Sequence, residues 1–334
     1  MTKEQFITIG IPVYNGRQYM ASTLESVMVA LKNINDSASI EVLVSDNKST
    51  DNTKEIVDNF KSDDFNIRYI CNEVNVGYDA NLDNIAKNAN GHYIWFLGCG
   101  EVIKSDSLLR LLEKIDGNTD YTNVLLDFDI FSESENKITD LRVFDFDDDV
   151  LLSGKNNFQR ERYAQALSSN IINKREWLKV VDVPLVVDGW CHIEKILNMI
   201  SIDNDSKTLI LPHPYFTLYR EVGGWWESSN SYKLLLLHIR VIDSMVFMGY
   251  EKKVVSKLRY KLSRLALVSA LIQSKGYGLK VNKNTLKELF EMFYNDVFLW
   301  SVVYPVFFLH PKILFIPKKT IQMLRFLKKS LKNV

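Results

Sequence analysis

Asp46, Glu101, Asp188 and His192 are the side chains of this sequence best placed to do chemistry. Asp46 closes the apolar run EVLVSD (41–46), and an acid at the end of a buried strand is costly unless something satisfies it. Glu101 follows a second apolar run, YIWFLGCG (93–100), and Asp188 and His192 share the stretch VVDGWCHIEKI (186–196). A carboxylate or imidazole at the mouth of a pocket can take a proton from an attacking hydroxyl. A single carboxylate can also hold a magnesium-like cation whose other positions go to water and phosphate oxygens. Tyr14, in the turn that ends ITIGIPVYNG (7–16), adds an aromatic face.

Those residues need a scaffold, and the alternation of short apolar runs with helix-period segments supplies one. It predicts strands at 6–11, 40–45, 66–71 and 92–97, and helices at 17–33, 52–60, 79–89 and 105–115. Fully apolar strands separated by helices imply a mostly parallel α/β sheet covered on both faces. Ligands of such sheets bind at the carboxyl ends of the strands. The turns 12–16, 45–49 and 98–101 all fall at those ends, so they should meet in one crevice. An aromatic face, a carboxylate for base or ribose, and an acidic turn for a cation on the diphosphate are what a sugar nucleotide requires.

Beyond residue 101 the pattern predicts a strand at 123–131, then an acidic surface loop or hairpin reaching Asp149. Short helices mixed with strands follow, then a strand at 208–221 and helices at 231–273 and 284–300. The change from mixed to helical pattern sets a domain boundary near residue 228. The expected organisation is a catalytic domain at 1–228, with halves 1–101 and 102–228, and a helical region at 229–334.

The 334 residues carry 41 basic and 41 acidic side chains, so no overall field advertises nucleic-acid binding. Cys71, Cys99 and Cys191 are too few and too scattered for a disulfide framework or zinc knuckle, which suits a cytoplasmic setting. No signal peptide is visible. The longest apolar stretch, 297–310, is interrupted by Pro305 and is shorter than the roughly 20 residues a spanning helix needs. Residues 318–334 combine six Lys or Arg and no acid with apolar residues at helical spacing. That segment suits either peripheral attachment to an anionic membrane surface or a packed helix with a solvated basic face.

The order of motifs in residues 7–101 resembles the N-terminal half of the family-two inverting glycosyltransferases of the GT-A fold. The resemblance implies a GT-A, Rossmann-like sheet and transfer of a sugar from a nucleotide-sugar donor to a glycan or lipid-linked glycan. It assigns Pro12, Tyr14, Asn15 and Asp46, and less firmly Asn47 and Asp51, to the nucleotide base and ribose. NVGYDANLDNIAKNANGHYIWFLG (75–98) is similar to the stretch that approaches the diphosphate and sugar, through Asn75, Gly77, Asp79 and Asn81. Asp79 reads equally as a helix cap, and Asn81 as facing pocket or solvent.

The acidic turn departs from the family pattern. Where relatives carry two or three aspartates for manganese or magnesium, this chain has Cys99, Gly100 and Glu101. A one-carboxylate metal site at Glu101, metal-independent transfer, and an inactive member that binds nucleotide sugar or scaffolds other enzymes all remain open. The 186–196 segment resembles the part of the family that carries the base, which implies Asp188, with His192 as alternative base or as a metal or diphosphate contact. LYREVGGWWESSN (218–230) resembles the abequosyltransferase-like branch of bacterial surface-polysaccharide enzymes, and there Arg220 would close over the diphosphate.

Overall fold

The computed structural model describes residues 6–34, 39–61, 65, 67–115, 119–132, 136–139, 144, 146–157, 166–220, 231–276, 279, 283–297, 299–301 and 305. The chain begins β1 Ile7–Val13, α1 Met20–Lys32, β2 Ile40–Asp46, α2 Thr53–Phe60, β3 Ile67–Cys71, α3 Tyr78–Asn88 and β4 Tyr93–Phe96. It continues β5 Val102–Ile103, α4 Ser107–Lys114, β6 Asn123–Ser132, β7 Lys137–Thr139, β8 Val150–Ser153, α5 Gly154–Asn157, β9 Asn170–Asn173, α6 Lys174–Lys179, α7 Cys191–Ile202 and β10 Lys207–Arg220. Helices α8 Ser231–Ser244, α9 Lys252–Lys261, α10 Val268–Gly276 and α11 Lys283–Phe293 follow.

Packing divides the chain into two units: Met1–Glu221 with Asp243–Val255, and Val222–Ile242 with Ser256–Val334. In the first, the sheet order is β3-β2-β1-β4-β9-β6-β10-β5, with β7 on β6 and β8 on β10. Strands β3, β2, β1 and β4 are parallel. β9 runs antiparallel to both β4 and β6, so β4 and β6 point the same way, and β10 is parallel to β6. The carboxyl ends of β1, β2, β3, β4, β6 and β10 therefore share one edge of the sheet, and the turns named above emerge there.

Burial explains why these strands read as unbroken apolar runs. Every residue of β2 and β4 is buried, because helices cover both faces. α1 contributes Met20, Leu24, Val27, Met28 and Leu31, one stripe at helical spacing. α3 lies so close to β1 that a Cβ on Gly10 would come within 2.5 Å of Ile85 Cγ2. Only glycine leaves room for the helix there.

Two buried charge networks brace the unit. At the amino end of the sheet Glu41 is fully buried, and its carboxylate accepts hydrogen bonds from Thr8 (2.7 Å), the Asn90 amide and side chain (2.8 Å each) and Arg68 Nε (2.9 Å). Between helices, Lys195 of α7 is 1% exposed, and its Nζ lies 2.5 and 2.6 Å from the two oxygens of Asp83 on α3. Trp177 of α6 also donates to Asp83, at 2.9 Å, so one carboxylate ties three helices together.

The expected strand at 208–221 is β10, despite its two prolines. β8 covers its outer side at 207–210 and β5 at 216–217. Pro212 and Pro214 fall in the gap between them, where a missing N–H costs no ladder bond. The expected helical run 231–273 is broken instead. α8 ends at Ser244, and a turn carrying Gly249 at φ 82 leads to α9. Asp243–Val255 belongs to the first unit, where the Tyr250 hydroxyl donates to the Leu197 carbonyl at 2.9 Å. The second unit has its own core, built on Tyr232, Leu236, Ile239, Leu267, Leu271, Leu289 and Phe293. Among the described residues no helix is long and apolar enough to cross a membrane, and the basic segment 318–334 lies outside the described residues.

Candidate active site

The turn after β1 and the turn after β2 are laced together. Asn15 sits at φ 55, the left-handed region that asparagine tolerates better than most residues. Its Oδ1 accepts the Thr50 N–H at 2.8 Å, and its own N–H donates to Ser49 Oγ at 2.8 Å. Gly16 N–H donates to Thr53 Oγ1 at 2.9 Å, and Arg17 N–H to Asp51 at 3.1 Å. Asp51 also accepts the Thr53 N–H and hydroxyl. Burial alone would raise the Asp51 pKa, but those hydrogen bonds together outweigh it and hold the carboxyl below its ordinary value. Tyr14, half exposed, is left facing solvent from this rigid turn.

Asp46 is 2% exposed, and one oxygen accepts the Ser49 N–H at 2.7 Å while the other accepts the Tyr69 hydroxyl. Burial and the neighbouring Asp46 carboxylate push the Tyr69 hydroxyl far above its ordinary pKa, so it stays a donor. Each carboxylate oxygen still has a second lone pair for a ligand. Tyr69 is a partner the sequence reading missed. Its signal was a polar tip on an apolar strand, two residues before the strand end and so on the same face.

An asparagine network sets the next turn. The Asn47 side chain donates to Asn75 Oδ1 (2.8 Å) and the Gly77 carbonyl (3.1 Å), and accepts from Asn72 (3.0 Å) and the Val76 N–H (2.8 Å). Asn81 is 3% exposed and turned inward, bonded to Ser45 side chain, Ser45 carbonyl and Asn72. It faces neither open crevice nor solvent. Gly77, at φ 87, opens α3. Asp79, in the first turn of α3, caps a different helix: its oxygens accept the N–H groups of Gly189 (2.6 Å) and Cys191 (3.2 Å) at the start of α7.

The turn 98–101 is clasped by α1. Thr23 Oγ1 accepts the Gly100 N–H at 2.9 Å and donates to the Glu101 carbonyl at 3.1 Å, and Gly100 packs against the Tyr19 ring. The Cys99 thiol, pushed up to about 12 by burial, stays protonated. Glu101 Oε2 is sealed from solvent and has no hydrogen-bond partner among the described residues. Burial raises the Glu101 pKa to about 7, against the opposing pull of Ser168 and the Gly98 backbone. Ser168, which also receives the Gly98 N–H at 2.8 Å, lies some seventy residues away and left no local signal in the sequence.

These observations bear directly on a metal. Among the described residues no three of His, Cys, Asp and Glu are grouped to hold an ion. A protonated thiol is no ligand. The donor set fits one hard-oxygen contact, through the unpartnered Glu101 oxygen, and not a preformed cage. The raised pKa also has a stability consequence. Between pH 4.5 and 7 the folded chain holds a proton that the unfolded chain has released, so stability falls as pH rises through that window. Glu101→Gln is expected to stabilise the ligand-free protein at pH 8 by up to about 3 kcal/mol, with the gain shrinking toward pH 4.5. Melting temperatures at pH 5 and 8 measure this, and a gain that grows on acidification would contradict it.

Asp188 is exposed at the tip of the 186–191 loop, while His192, on the first turn of α7, is 5% exposed. His192 packs near the rings of Tyr78 and Trp190, at 6.3 and 6.1 Å between centroids. Trp190 is itself 7% exposed. Glu194 turns back to accept the Val186 and Val187 N–H groups at 2.8 Å each. Pro12, in β1, is half-buried. Arg220 ends β10, but its side chain and residues 221–230 lie outside the described residues.

A glycine-lined acidic turn, a strand-end aspartate and a tyrosine-bearing turn thus share the edge of a mostly parallel α/β sheet at which such folds hold their ligands. Residues 8–179, just over half of the chain, match the model of glycosyl transferase family 2, and the chain belongs to that family. It is 33% identical over 187 residues to the abequosyltransferase RfbV of Salmonella typhimurium, an alignment covering 51% of this chain and 54% of that protein. It is 31% identical over 119 residues, 35% of this chain and 36% of the relative, to a GalNAc(5)-diNAcBac-PP-undecaprenol beta-1,3-glucosyltransferase of Campylobacter jejuni. The chain thus spans about half the length of the first relative and less of the second. Among solved structures it resembles S. aureus TarS 1-349 with a TM-score of 0.61 at 17% identity, covering 90% of this chain and 82% of that one. The mannosyltransferase PcManGT of Pyrobaculum calidifontis, solved with GDP-Man and Mn2+, gives 0.55 at 13% identity, covering 92% and 86%. Both likenesses support the GT-A fold expected from the sequence.

Proposed function

We propose that this chain is a glycosyltransferase that moves a sugar, with inversion, from a nucleotide-sugar donor to a glycan or lipid-linked glycan in bacterial surface-polysaccharide synthesis. The observation that carries the reading is the meeting of the turns after β1, β2, β3 and β4 at one sheet edge, where Asn15 bonds Thr50, Asn47 bonds Asn75 and the Cys99 thiol lies on the Gly16 carbonyl. Residues 1–101 form the donor half, and Pro12, Tyr14, Asn15 and Asp46 receive the base and ribose. Asn47 holds the turn bearing Asn75 and Gly77 for the diphosphate, Cys99 and Gly100 line the same approach, and Arg220 is the residue that would close over the diphosphate. The acceptor half, 102–228, brings Asp188 to take the proton of the attacking hydroxyl, opposite the departing diphosphate. His192, on the first turn of α7, serves as the alternative base or as a metal or diphosphate contact.

Glu101 is the residue that would hold a magnesium or manganese ion, and such an ion neutralises charge on the leaving diphosphate. Below about pH 7 a cation competes with a proton for that carboxyl. The names of the relatives support the acceptor class: one acts on an undecaprenol-linked glycan, and another is a poly(ribitol-phosphate) beta-glucosyltransferase. The basic segment 318–334 suits the anionic inner face of a membrane, where a lipid-linked acceptor is found.

Thermal shift against a panel of nucleotide sugars, with and without manganese, tests the reading. A ligand at a hundred times its Kd stabilises by roughly 2.7 kcal/mol, so at least one donor should give a clear rise. Asp46→Asn is expected to weaken that donor at least about tenfold, because a charge-assisted hydrogen bond is lost. A panel with no response in the wild-type protein overturns the proposal.

A further inference from the structure

The loop that carries Asp188 is gripped from two sides. Glu194 takes the N–H groups of Val186 and Val187, and Asp79 takes those of Gly189 and Cys191. Asp188 is the exposed residue left between the two grips. Glu194 belongs to the helix that the loop feeds, but Asp79 reaches in from α3, more than a hundred residues earlier in the chain. Its carboxylate also sits where the amino end of α7 favours negative charge.

Asp79 is itself held from the nucleotide end of the crevice. The Gly77 carbonyl, two residues before it, accepts from Asn47, and Asn47 also binds the Val76 N–H. Asn47 follows Asp46 directly, and its backbone N–H donates to the Val13 carbonyl in β1 at 2.8 Å. A continuous path of short contacts therefore runs from the ends of β1 and β2 through the 75–77 turn and the first turn of α3 to the amides flanking Asp188. The side-chain links are Asn47 and Asp79, both short and with few rotamers. Tyr78, between Gly77 and Asp79, meets the edge of His192 and adds an apolar contact alongside the polar ones.

We infer that Asp79 is a positioning residue that couples nucleotide binding to the order of the 186–191 loop. It touches neither substrate nor reacting atoms. When a nucleoside diphosphate settles the 46–47 and 75–77 turns, Asp79 passes that order to the loop and fixes Asp188 for proton transfer. Without it the two turns and the loop behave independently. The inference rests on the proposed function, since it takes the 46–77 region as the nucleotide end.

Hydrogen exchange of the 186–191 segment, with and without UDP, GDP, CDP or dTDP, provides the test. In the wild-type protein the nucleotide that binds should slow exchange of this segment at least threefold. Asp79→Ala should bind that nucleotide within about fivefold of wild type, since a coupling of this kind weakens binding only by its own factor. Its segment should exchange faster and respond no further to nucleotide, and Asp79→Asn, which keeps one acceptor oxygen, should fall between. A merely structural role would raise exchange in Asp79→Ala yet keep the threefold response, and that result overturns the inference. No nucleotide binding to the wild-type protein is a separate outcome, which removes the proposed function and this inference with it.

Discussion

Asp188→Asn is expected to lower turnover by about a hundred- to ten-thousand-fold while leaving donor affinity within about threefold. Asparagine keeps the size and much of the hydrogen bonding of aspartate but cannot take a proton. The loop should hold its shape, because the four N–H groups that fix it bind Glu194 and Asp79 and not Asp188. A base acts in the transition state, so its loss should fall on kcat, whereas calorimetry with the donor should change little. If His192→Ala shows that kinetic pattern and Asp188→Asn does not, the base is His192, and its burial among rings would then have to open during turnover.

Lys195→Ala is expected to cost about 3–5 kcal/mol of stability, the range found when one member of a buried ion pair is removed. The cost arises mainly from what stays behind. Asp83 would keep the Trp177 indole N–H but lose the ammonium that lies on both its oxygens, leaving a half-buried charge uncompensated. The Val181 carbonyl, 3.1 Å from Nζ, would lose its partner too. Replacing the pair together, Lys195→Met with Asp83→Leu, should recover part of the loss. Urea unfolding of the full chain measures both, and a Lys195→Ala loss under about 1 kcal/mol would show that the pair contributes little to holding α3 against α7.

The strands and turns of the first hundred residues were legible because their signals are local. An apolar run that ends in Asp46, or in Gly98 and Glu101, announces both a strand and the turn after it. The region beyond residue 101 was less so. Asp79 was read as a diphosphate contact or a cap of its own helix, yet it caps α7, and no spacing rule connects positions 79 and 189. Nothing near Lys195 in the sequence announces its burial, because Asp83 and Trp177, which surround it, come from other helices. The break at 245–251 hid for another reason: the residues around Gly249 suit a helix, and packing against the first unit decides the turn. Glu41 followed the same logic, since an acid at the start of an apolar strand gives no sign of Arg68 and Asn90 closing over it.

The place of β9 has a consequence for synthesis. β4 pairs with β1 on one side and with β9 on the other, and β9 is made only after residue 170. While the chain is growing, the apolar segment Tyr93–Phe96 therefore presents a bare edge, and the Trp95 indole has yet to meet the Ser168 carbonyl. At roughly 5–20 residues per second, about 80 residues of delay is on the order of 4–16 s. An unpaired apolar edge is a template for pairing with another chain. During those seconds the nascent amino-terminal part of the sheet is most exposed to aggregation, and the short strand Asn170–Asn173 ends that exposure by inserting where no neighbour in sequence can.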